Sequence, residues 1–149
     1  MDAQRRITVR GIIFKDGKLL AQQLKGENGE PRDYWCTPGG GLDPGESLHA
    51  GLTREMIEET GITPQIGELL FVQQYQDEER EFLEFFFHIH NVEDYRTIDL
   101  AATSHGELEV DVVDFVAPDK HHILPEFLQR IAIQEYIDRP QPVIVASEF

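Results

Sequence analysis

Cysteine, long apolar runs and positive charge are all scarce in this sequence. Cys36 is the only cysteine, so no disulfide can form within the chain, and this usage is typical of a reducing, cytoplasmic compartment. No run of 18 apolar residues is present, so we expect no membrane span. Against 28 aspartates and glutamates stand only 13 lysines and arginines, a formal net charge of −15. This charge argues against a binder of nucleic-acid polymers or anionic membranes, but not against a small phosphorylated substrate that a cation helps to hold.

The length and composition indicate one folded domain over residues 1–149. A chain of 149 residues, 40% of them hydrophobic, is long enough to bury a core. No internal repeat, low-complexity tract or linker divides it. Several strand-like segments and two helix-like segments favour an α/β fold, with helices on both faces of a mixed β-sheet.

Hydrophobic periodicity and turn residues place the expected elements. Asp16 and Gly17 form a hairpin signal between two strand-like segments. Ser47 is suited to cap a helix that Gly61 would end. Residues 81–92 are almost continuously apolar, as in a strand covered on both faces. The expected strands are 7–14, 18–24, 34–36, 68–76, 81–92 and 107–116, and the expected helices are 47–60 and 125–138.

The first expected helix carries a cluster of acidic side chains. At about 100° per residue, Glu55, Glu58 and Glu59 fall within one arc, because they stand at positions i, i+3 and i+4. Three neighbouring carboxylates repel one another unless a cation neutralises them. Carboxylate oxygens suit Mg²⁺ or Mn²⁺. The alternative is an ordinary solvated helix face, since charge runs usually mark exposed surfaces.

The residues around this helix resemble the signature of the Nudix hydrolase family, G-x5-E-x7-R-E-U-x-E-E-x-G-U, where U is a bulky aliphatic residue. The chain matches it without a gap from Gly40 to Ile62. The matching positions are Gly40, Glu46, Arg54, Glu55, Met56, Glu58, Glu59, Gly61 and Ile62. This resemblance implies a Nudix-type α/β/α sandwich with a mixed β-sheet. It also implies that Arg54 and Glu46 form a pair that orients the carboxylates and secures the loop.

The resemblance implies a metal-dependent pyrophosphohydrolase. Members of this family use Mg²⁺ or Mn²⁺ and water to split the pyrophosphate bond of a nucleoside diphosphate linked to another moiety. By position, Glu55, Glu58 and Glu59 are the expected metal ligands, and a backbone carbonyl at Gly39 or Gly40 is expected to add a further one. Two metals, or three with substrate bound, would bridge pyrophosphate oxygens and position the attacking water.

The resemblance leaves the general base open. The base takes the proton of the attacking water. Arg54 and the general base are the expected catalytic residues. The base is either Glu58 or Glu59 itself or a glutamate from a later segment. Glu107 and Glu109 are the distal candidates, with Glu107 preferred, and ordinary glutamates at a strand edge are the alternative.

The residues outside the signature do not identify the substrate. Asp77 stands where many ADP-ribose hydrolases of the family carry a proline. We therefore expect a nucleotide or nucleotide-sugar type substrate without naming one. The alternatives are a Nudix-like sensor that binds a nucleotide metabolite without turnover, and an acidic cation-binding scaffold. A sensor usually lacks a ligand glutamate, and none is lacking here.

Aromatic and histidine side chains outside the signature have two interpretations. Tyr34, Trp35 and Tyr75 either border a pocket for a base or belong to the core, and the core is the commoner place for such residues. His88 and His90 share one strand face. They are expected to be surface or core histidines, because no cysteine or carboxylate spacing supports a four-ligand zinc site.

Five basic residues and one apolar segment outside the signature have more than one possible role. Basic residues that could contact phosphates, or be ordinary surface charges, are Arg5, Arg6, Arg10, Lys25 and Arg32. The apolar residues 143–145 near the end of the sequence could add an edge strand or contribute to a homodimer.

Overall fold

In this computed structural model, which describes residues 4–76, 78–103 and 106–141, the chain forms two β-sheets and several helices. The strands are β1 (Gln4–Ile12), β2 (Phe14–Lys15), β3 (Lys18–Leu24), β4 (Trp35–Cys36), β5 (Gly39–Gly41), β6 (Ile66–Gln76), β7 (Arg80–Ile89), β8 (Val110–Val116) and β9 (Ile123–Leu124). The α-helices are α1 (Leu48–Thr60), α2 (Gly106–Glu109) and α3 (Ile133–Asp138). Short 3-10 helices span Val92–Tyr95, Leu100–Ala102 and Glu126–Gln129.

Both sheets are mixed. The first has the order β5-β1-β7-β6, in which β1 is parallel to β7 and the other pairs are antiparallel. The second has the order β2-β3-β4-β9, in which β4 is parallel to β9, and β8 also pairs with β3. The α/β class expected from the sequence is confirmed. The strands form two sheets because β1 pairs with β5 and β7, whereas the β2–β3 hairpin pairs with β4 and β8.

Alternate residues of the central strands enter two separate hydrophobic cores. Phe86 packs in one cluster, whereas Phe87 and Ile89 pack in the other, because successive side chains of a strand point to opposite faces. Leu52 and Met56 of α1 belong to the cluster of Phe87, and the C-terminal helical segment belongs to the cluster of Phe86. Helices therefore cover both faces of the first sheet, and the continuous apolar character of β7 follows from this burial.

The boundaries of helix α1 agree with the signals in the sequence. The Ser47 hydroxyl accepts a hydrogen bond from the backbone N–H of Ala50 at 3.1 Å and so caps the first turn. Gly61 ends the helix with a φ of 75°, a left-handed conformation that favours glycine. The acidic arc is thus held on a helix with defined ends.

The prediction of one continuous helix over residues 125–138 is wrong. A 3-10 helix covers Glu126–Gln129 and α3 begins only at Ile133. Leu128 and Ile133 are both buried in one core cluster, although five residues on a continuous helix would separate them by about 140°. The interruption lets both side chains reach the same core.

The strand expected over residues 107–116 begins later than predicted. Gly106–Glu109 forms α2, and β8 starts at Val110, where it pairs with Leu24. A Cβ at position 106 would lie 2.5 Å from the carbonyl oxygen of Glu59, so glycine permits this turn to pack against the end of α1. Residues 143–145, expected to add an edge strand or a dimer contact, lie outside the described residues. Within the described ranges, no helix is both long and apolar enough to span a bilayer.

Helix α1 provides a test of the core. We expect Leu52→Ala to lower the free energy of unfolding by about 2–5 kcal/mol, because the side chain is fully buried and its truncation leaves a cavity. Ile57→Ala is the matched control on the same helix, since Ile57 is 41% exposed, and its effect should stay below about 1 kcal/mol. Urea unfolding measures both, and equal losses would contradict the assigned packing.

Candidate active site

A cavity of about 580 Å³ lies beside helix α1. Glu55, Glu58 and Glu59 all line it, together with Gly39 and Gly40 from β5. The fold therefore brings the residues that the sequence predicted as metal ligands to one wall of a single cavity. Carboxylate oxygens and a backbone carbonyl are the donor set that a hard divalent cation prefers.

Arg54 connects the acidic helix to the loop before it. Its Nε and Nη2 atoms donate hydrogen bonds to the two carboxylate oxygens of Glu46, both at 2.8 Å. Its Nη1 atom donates to Glu55 at 3.0 Å and to Glu58 at 3.2 Å, and Nη2 also donates to the carbonyl oxygen of Gly41 at 3.1 Å. One guanidinium thus fixes the orientation of three carboxylates.

Glu46 is held as an anion in this network. The hydrogen bonds from Arg54, and then the one from the backbone N–H of Asp43 at 2.8 Å, lower the pKa of Glu46 to about 2. The same hydrogen bonds with Glu46 raise the pKa of Arg54 above its usual range. The pair therefore stays charged through the neutral and mildly acidic pH range.

Glu59 is the most buried of the three helix glutamates. Its side chain accepts hydrogen bonds from the backbone N–H of Gly39 at 3.0 Å and from Nε2 of Gln22 at 3.3 Å. Burial raises its pKa to about 7, although the Gly39 hydrogen bond and the charge of Arg10 oppose this shift. Burial likewise raises the pKa of Glu55. A nearby cation would favour the ionised form of both carboxylates.

Glycines in β5 permit the close approach of the helix glutamates. Gly39 has a φ of 137°, and a Cβ there would lie 2.1 Å from the carbonyl oxygen of Val9. A Cβ at Gly40 would lie 2.6 Å from a carboxylate oxygen of Glu55. A larger residue would displace the backbone of β1 at position 39 and the Glu55 carboxylate at position 40, so glycine preserves the geometry of this wall.

A buried polar network that sequence reasoning missed lies behind the glycines. The Glu84 carboxylate accepts a hydrogen bond from the Thr8 hydroxyl at 2.9 Å and lies 3.4 Å from Nε of Arg10. Nη1 of Arg10 donates to the carbonyl oxygens of Thr37 at 3.0 Å and Gly39 at 3.3 Å. The available signal was Glu84, the one charged residue between Phe82 and Phe87, which requires a partner when buried.

Positive charge is concentrated in this cavity despite the acidic composition. Of the five basic residues considered in the sequence, Arg5 instead pairs with Glu81 at 2.9 Å on the surface. The other four line the cavity: Arg6, Arg10, Lys25 and Arg32. The cavity therefore presents cationic groups as well as carboxylates to a ligand.

Of the two distal glutamates, Glu109 lies at the first cavity. Glu109 lines the cavity of the helix glutamates, and its backbone carbonyl accepts a hydrogen bond from the backbone N–H of Lys25 at 2.9 Å. Glu107 belongs to the same helix, α2, but its side chain lies outside the described part of the structure.

A second cavity of about 280 Å³ adjoins the first. Tyr34 and Tyr75 line it, and it shares Arg10 and Leu24 with the first cavity. Trp35 instead packs against the core cluster of Phe86. Two of the three aromatic residues considered for a base pocket are thus at a cavity, and the third belongs to the core.

The Arg54–Glu46 pair gives a pH-dependent prediction. A carboxyl whose folded pKa is about 2 and whose ordinary value is 4.5 adds stability above pH 4.5, which is lost as the pH falls towards 2. We expect Glu46→Gln to lower the melting temperature at pH 7, with a difference from the wild type that shrinks below pH 4.5.

Glu27→Gln is the control, because it removes the same charge from an exposed loop position. Its melting temperature should follow that of the wild type at each pH. Thermal unfolding followed by circular dichroism between pH 7 and 2.5 measures both variants. A difference for Glu46→Gln that does not change with pH would contradict the assigned ion pair.

Known proteins resemble this chain, and one family model spans all the residues that line the first cavity. Residues 4–132 match the family model of the NUDIX domain. An ADP-ribose pyrophosphatase of Methanocaldococcus jannaschii is 37% identical over 71 residues, 48% of this chain and 41% of that protein. A CTP pyrophosphohydrolase of Escherichia coli is 35% identical over 82 residues, 55% of this chain and 56% of that protein. The chain spans about half the length of these relatives.

Solved structures share the fold. The crystal structure of a MutT protein from Methanosarcina mazei Go1 has a TM-score of 0.69 and 24% sequence identity, and the match covers 93% of this chain and 96% of that one. The resemblance inferred from the signature is confirmed by the family match, which extends well beyond the signature at both ends. The chain therefore belongs to the NUDIX domain family.

Proposed function

We propose that this protein is a metal-dependent pyrophosphohydrolase acting on a nucleoside diphosphate derivative, of the nucleotide or nucleotide-sugar type. The observation that carries the proposal is the composition of the main cavity, in which three helix glutamates and four basic side chains line one space. A site that hydrolyses a pyrophosphate group needs basic side chains that bind the phosphate oxygens, and it also needs carboxylates that hold a metal ion. The names of the two curated relatives, an ADP-ribose pyrophosphatase and a CTP pyrophosphohydrolase, support the same class.

The helix glutamates suit a hard divalent cation, for which we propose Mg²⁺ with Mn²⁺ as a substitute. Glu55, Glu58 and Glu59 would hold it, because all three line the cavity and offer oxygen donors. When bound, the metal neutralises charge on the pyrophosphate oxygens and lowers the pKa of water. The carboxylates meanwhile lie in orientations that Arg54 has already fixed for two of them.

The backbone pairing distinguishes the two candidate carbonyl ligands. Residues of an antiparallel pair alternate between hydrogen-bonded and non-bonded positions. The N–H of Leu42 donates to the carbonyl of Ile7, which places Gly40, two residues earlier, in the bonded phase and Gly39 in the other. The Gly39 carbonyl instead accepts from Arg10 at 3.3 Å, so it points out of the ladder. Gly39 is therefore the better supported carbonyl ligand.

The basic side chains would bind and orient the pyrophosphate. Arg10 is anchored to the Gly39 carbonyl and to Glu84, so its guanidinium is held in place before a substrate arrives. Water would add to one phosphorus, the P–O bond of the anhydride would break, and two phosphate products would leave. Positioning of this kind accounts for most of the protein's contribution to phosphoryl transfer.

A carboxylate of the cavity would accept the proton of the attacking water. The candidates are Glu58 and Glu59 on α1 and, from α2, Glu107 and Glu109. Of the two distal residues, Glu109 is the better supported, because it lines the same cavity as the helix glutamates.

The adjoining cavity suits the nucleoside. Tyr34 and Tyr75 offer aromatic surface, and Gln73 offers amide groups that can hydrogen-bond a base edge. Because Arg10 lines both cavities, a base bound beside the tyrosines would have its phosphates directed towards the helix glutamates.

A substrate panel tests the proposed activity. The full chain is incubated with nucleoside triphosphates, ADP-ribose and nucleotide sugars in Mg²⁺, and the released phosphate, pyrophosphate and nucleoside monophosphate are measured. We expect Glu58→Gln and Glu59→Gln to lower kcat by about 100-fold or more on the preferred substrate, because each removes a charged metal ligand. Both substitutions keep the size of the side chain, and circular dichroism verifies the fold.

The exposed Glu27→Gln variant is the control for these substitutions and should retain wild-type kcat. Turnover should also stop with EDTA and return with Mg²⁺. Wild-type turnover by both active-site variants would refute the assignment. Binding of a nucleotide without any turnover would instead identify the protein as a sensor.

The second cavity, which Tyr34 and Tyr75 line and which we call the tyrosine cavity, gives another prediction. We expect Tyr75→Ala to raise KM about tenfold with a smaller change in kcat, because stacking of a base on an aromatic ring contributes about 1–3 kcal/mol to binding. Tyr136→Ala is the matched control, since the two side chains are 40% and 39% exposed and Tyr136 lies outside both cavities. An equal KM for the two variants would place the base elsewhere.

A further inference from the structure

Two histidines and a glutamate converge on the first sheet, away from both cavities. Glu68 belongs to β6, His88 to β7, and His90 follows the end of β7. One Glu68 carboxylate oxygen lies 3.1 Å from Nε2 of His90 and 3.5 Å from Nδ1 of His88. The imidazole centroids are 4.9 Å apart, and one ligand atom from each residue lies within 4.8 Å of the others. We call these three residues the histidine cluster.

The strand geometry explains why the three side chains meet. His88 and His90 are two residues apart, so they project from the same side of the chain. The register of β6 against β7 shifts between Ile66 and Leu69, which marks a bulge at the position of Glu68. A bulge redirects the side chains it carries, and here Glu68 faces both imidazoles.

Gly67 makes room for the cluster. A Cβ at this position would lie 2.1 Å from Nε2 of His90, so a larger residue would move the ring out of its place beside the β6 backbone. The position of the His90 ring is thus defined by the backbone as well as by its hydrogen bond to Glu68.

One polar atom of the histidine cluster lacks a hydrogen-bond partner among the described residues. Nδ1 of His88 is buried and makes no hydrogen bond within the described residues, although the Glu68 carboxylate lies 3.5 Å away. A buried ring nitrogen without a partner is uncommon, and a bound metal ion would satisfy it. The side chains of Glu68 and His90 are 47% and 46% exposed, so solvent has access to the open side of the cluster.

We propose that Glu68, His88 and His90 bind one divalent transition-metal ion, of which Zn²⁺ is the representative. Two imidazoles and one carboxylate are a ligand set typical of zinc, with a fourth position left for water or another ligand. Imidazole nitrogens do not suit Mg²⁺, which prefers oxygen donors. The site shares no residue with the cavity of the helix glutamates, so it is independent of the proposed hydrolysis.

A calorimetric titration of the full metal-free chain with Zn²⁺, in excess Mg²⁺ to occupy hard oxygen sites, tests the proposal. We expect one Zn²⁺ per chain, and we expect His90→Ala and Glu68→Gln each to weaken binding at least about tenfold, because each removes one of three ligands. Both residues are half exposed, so their replacement leaves the core intact. His122→Ala is the matched control, with a side chain that is 52% exposed, and should bind Zn²⁺ like the wild type.

Histidine ring NMR spectra identify the ligands directly. Zn²⁺ should shift the imidazole signals of His88 and His90 and leave those of His49 and His122 unchanged. Wild-type affinity in both His90→Ala and Glu68→Gln would overturn the proposal, as would the absence of Zn²⁺ binding. Loss of the Zn²⁺ signal in Glu58→Gln, with retention in His90→Ala, would also overturn it, because the ion would then lie at the helix glutamates.

Discussion

Arg54 donates hydrogen bonds to Glu46, Glu55, Glu58 and the carbonyl of Gly41, and the arrangement of the candidate site depends on this guanidinium. Three carboxylates crowded near one another would otherwise repel. The planar donor fork of arginine can serve several acceptors in fixed directions, which lysine cannot do. The loop, the strand β5 and the acidic helix are therefore joined by one side chain before any cation is present.

The net charge of −15 conceals a local cluster of basic side chains. Four basic side chains line the cavity of the helix glutamates, while Glu84, a buried acid on β7, anchors one of them, Arg10. A buried carboxylate is costly unless it is paired, and this one is paired with both Arg10 and Thr8. The charge count along the sequence argues against polyanionic partners, but it does not indicate where the few cationic side chains gather.

The parts of the site that lie close in sequence could be predicted, and those assembled by strand pairing could not. The acidic arc, Ser47 and Gly61 are local features of one helix, and helix geometry alone relates them. Arg10 and Glu84 are 74 residues apart and meet only because β1 is parallel to β7. That pairing has no short-range signal in the sequence.

Long-range packing also decides the structure of residues 125–138 and of the histidine cluster. Helical periodicity over residues 125–138 is real, but Leu128 and Ile133 both enter one core only if the helix is interrupted. The sequence indicated that His88 and His90 share a strand face, but not that Glu68 joins them, because Glu68 lies 20 residues before His88 and a bulge in β6 brings them together. Tertiary pairing decides these cases, and local propensity does not.

Arg10 lies at the junction of the two cavities, on a central strand of the first sheet. Arg10 is therefore held in place by the pairing of β1 with β5 and β7, whereas Tyr34 reaches the second cavity from the loop before β4. For a substrate of the proposed class that fills both cavities, Arg10 would fix the position of one phosphate relative to the helix glutamates. Selection by the number of phosphates between the base and the reacting bond would then be a property of the sheet, whereas selection of the base would be left to the residues around the tyrosines.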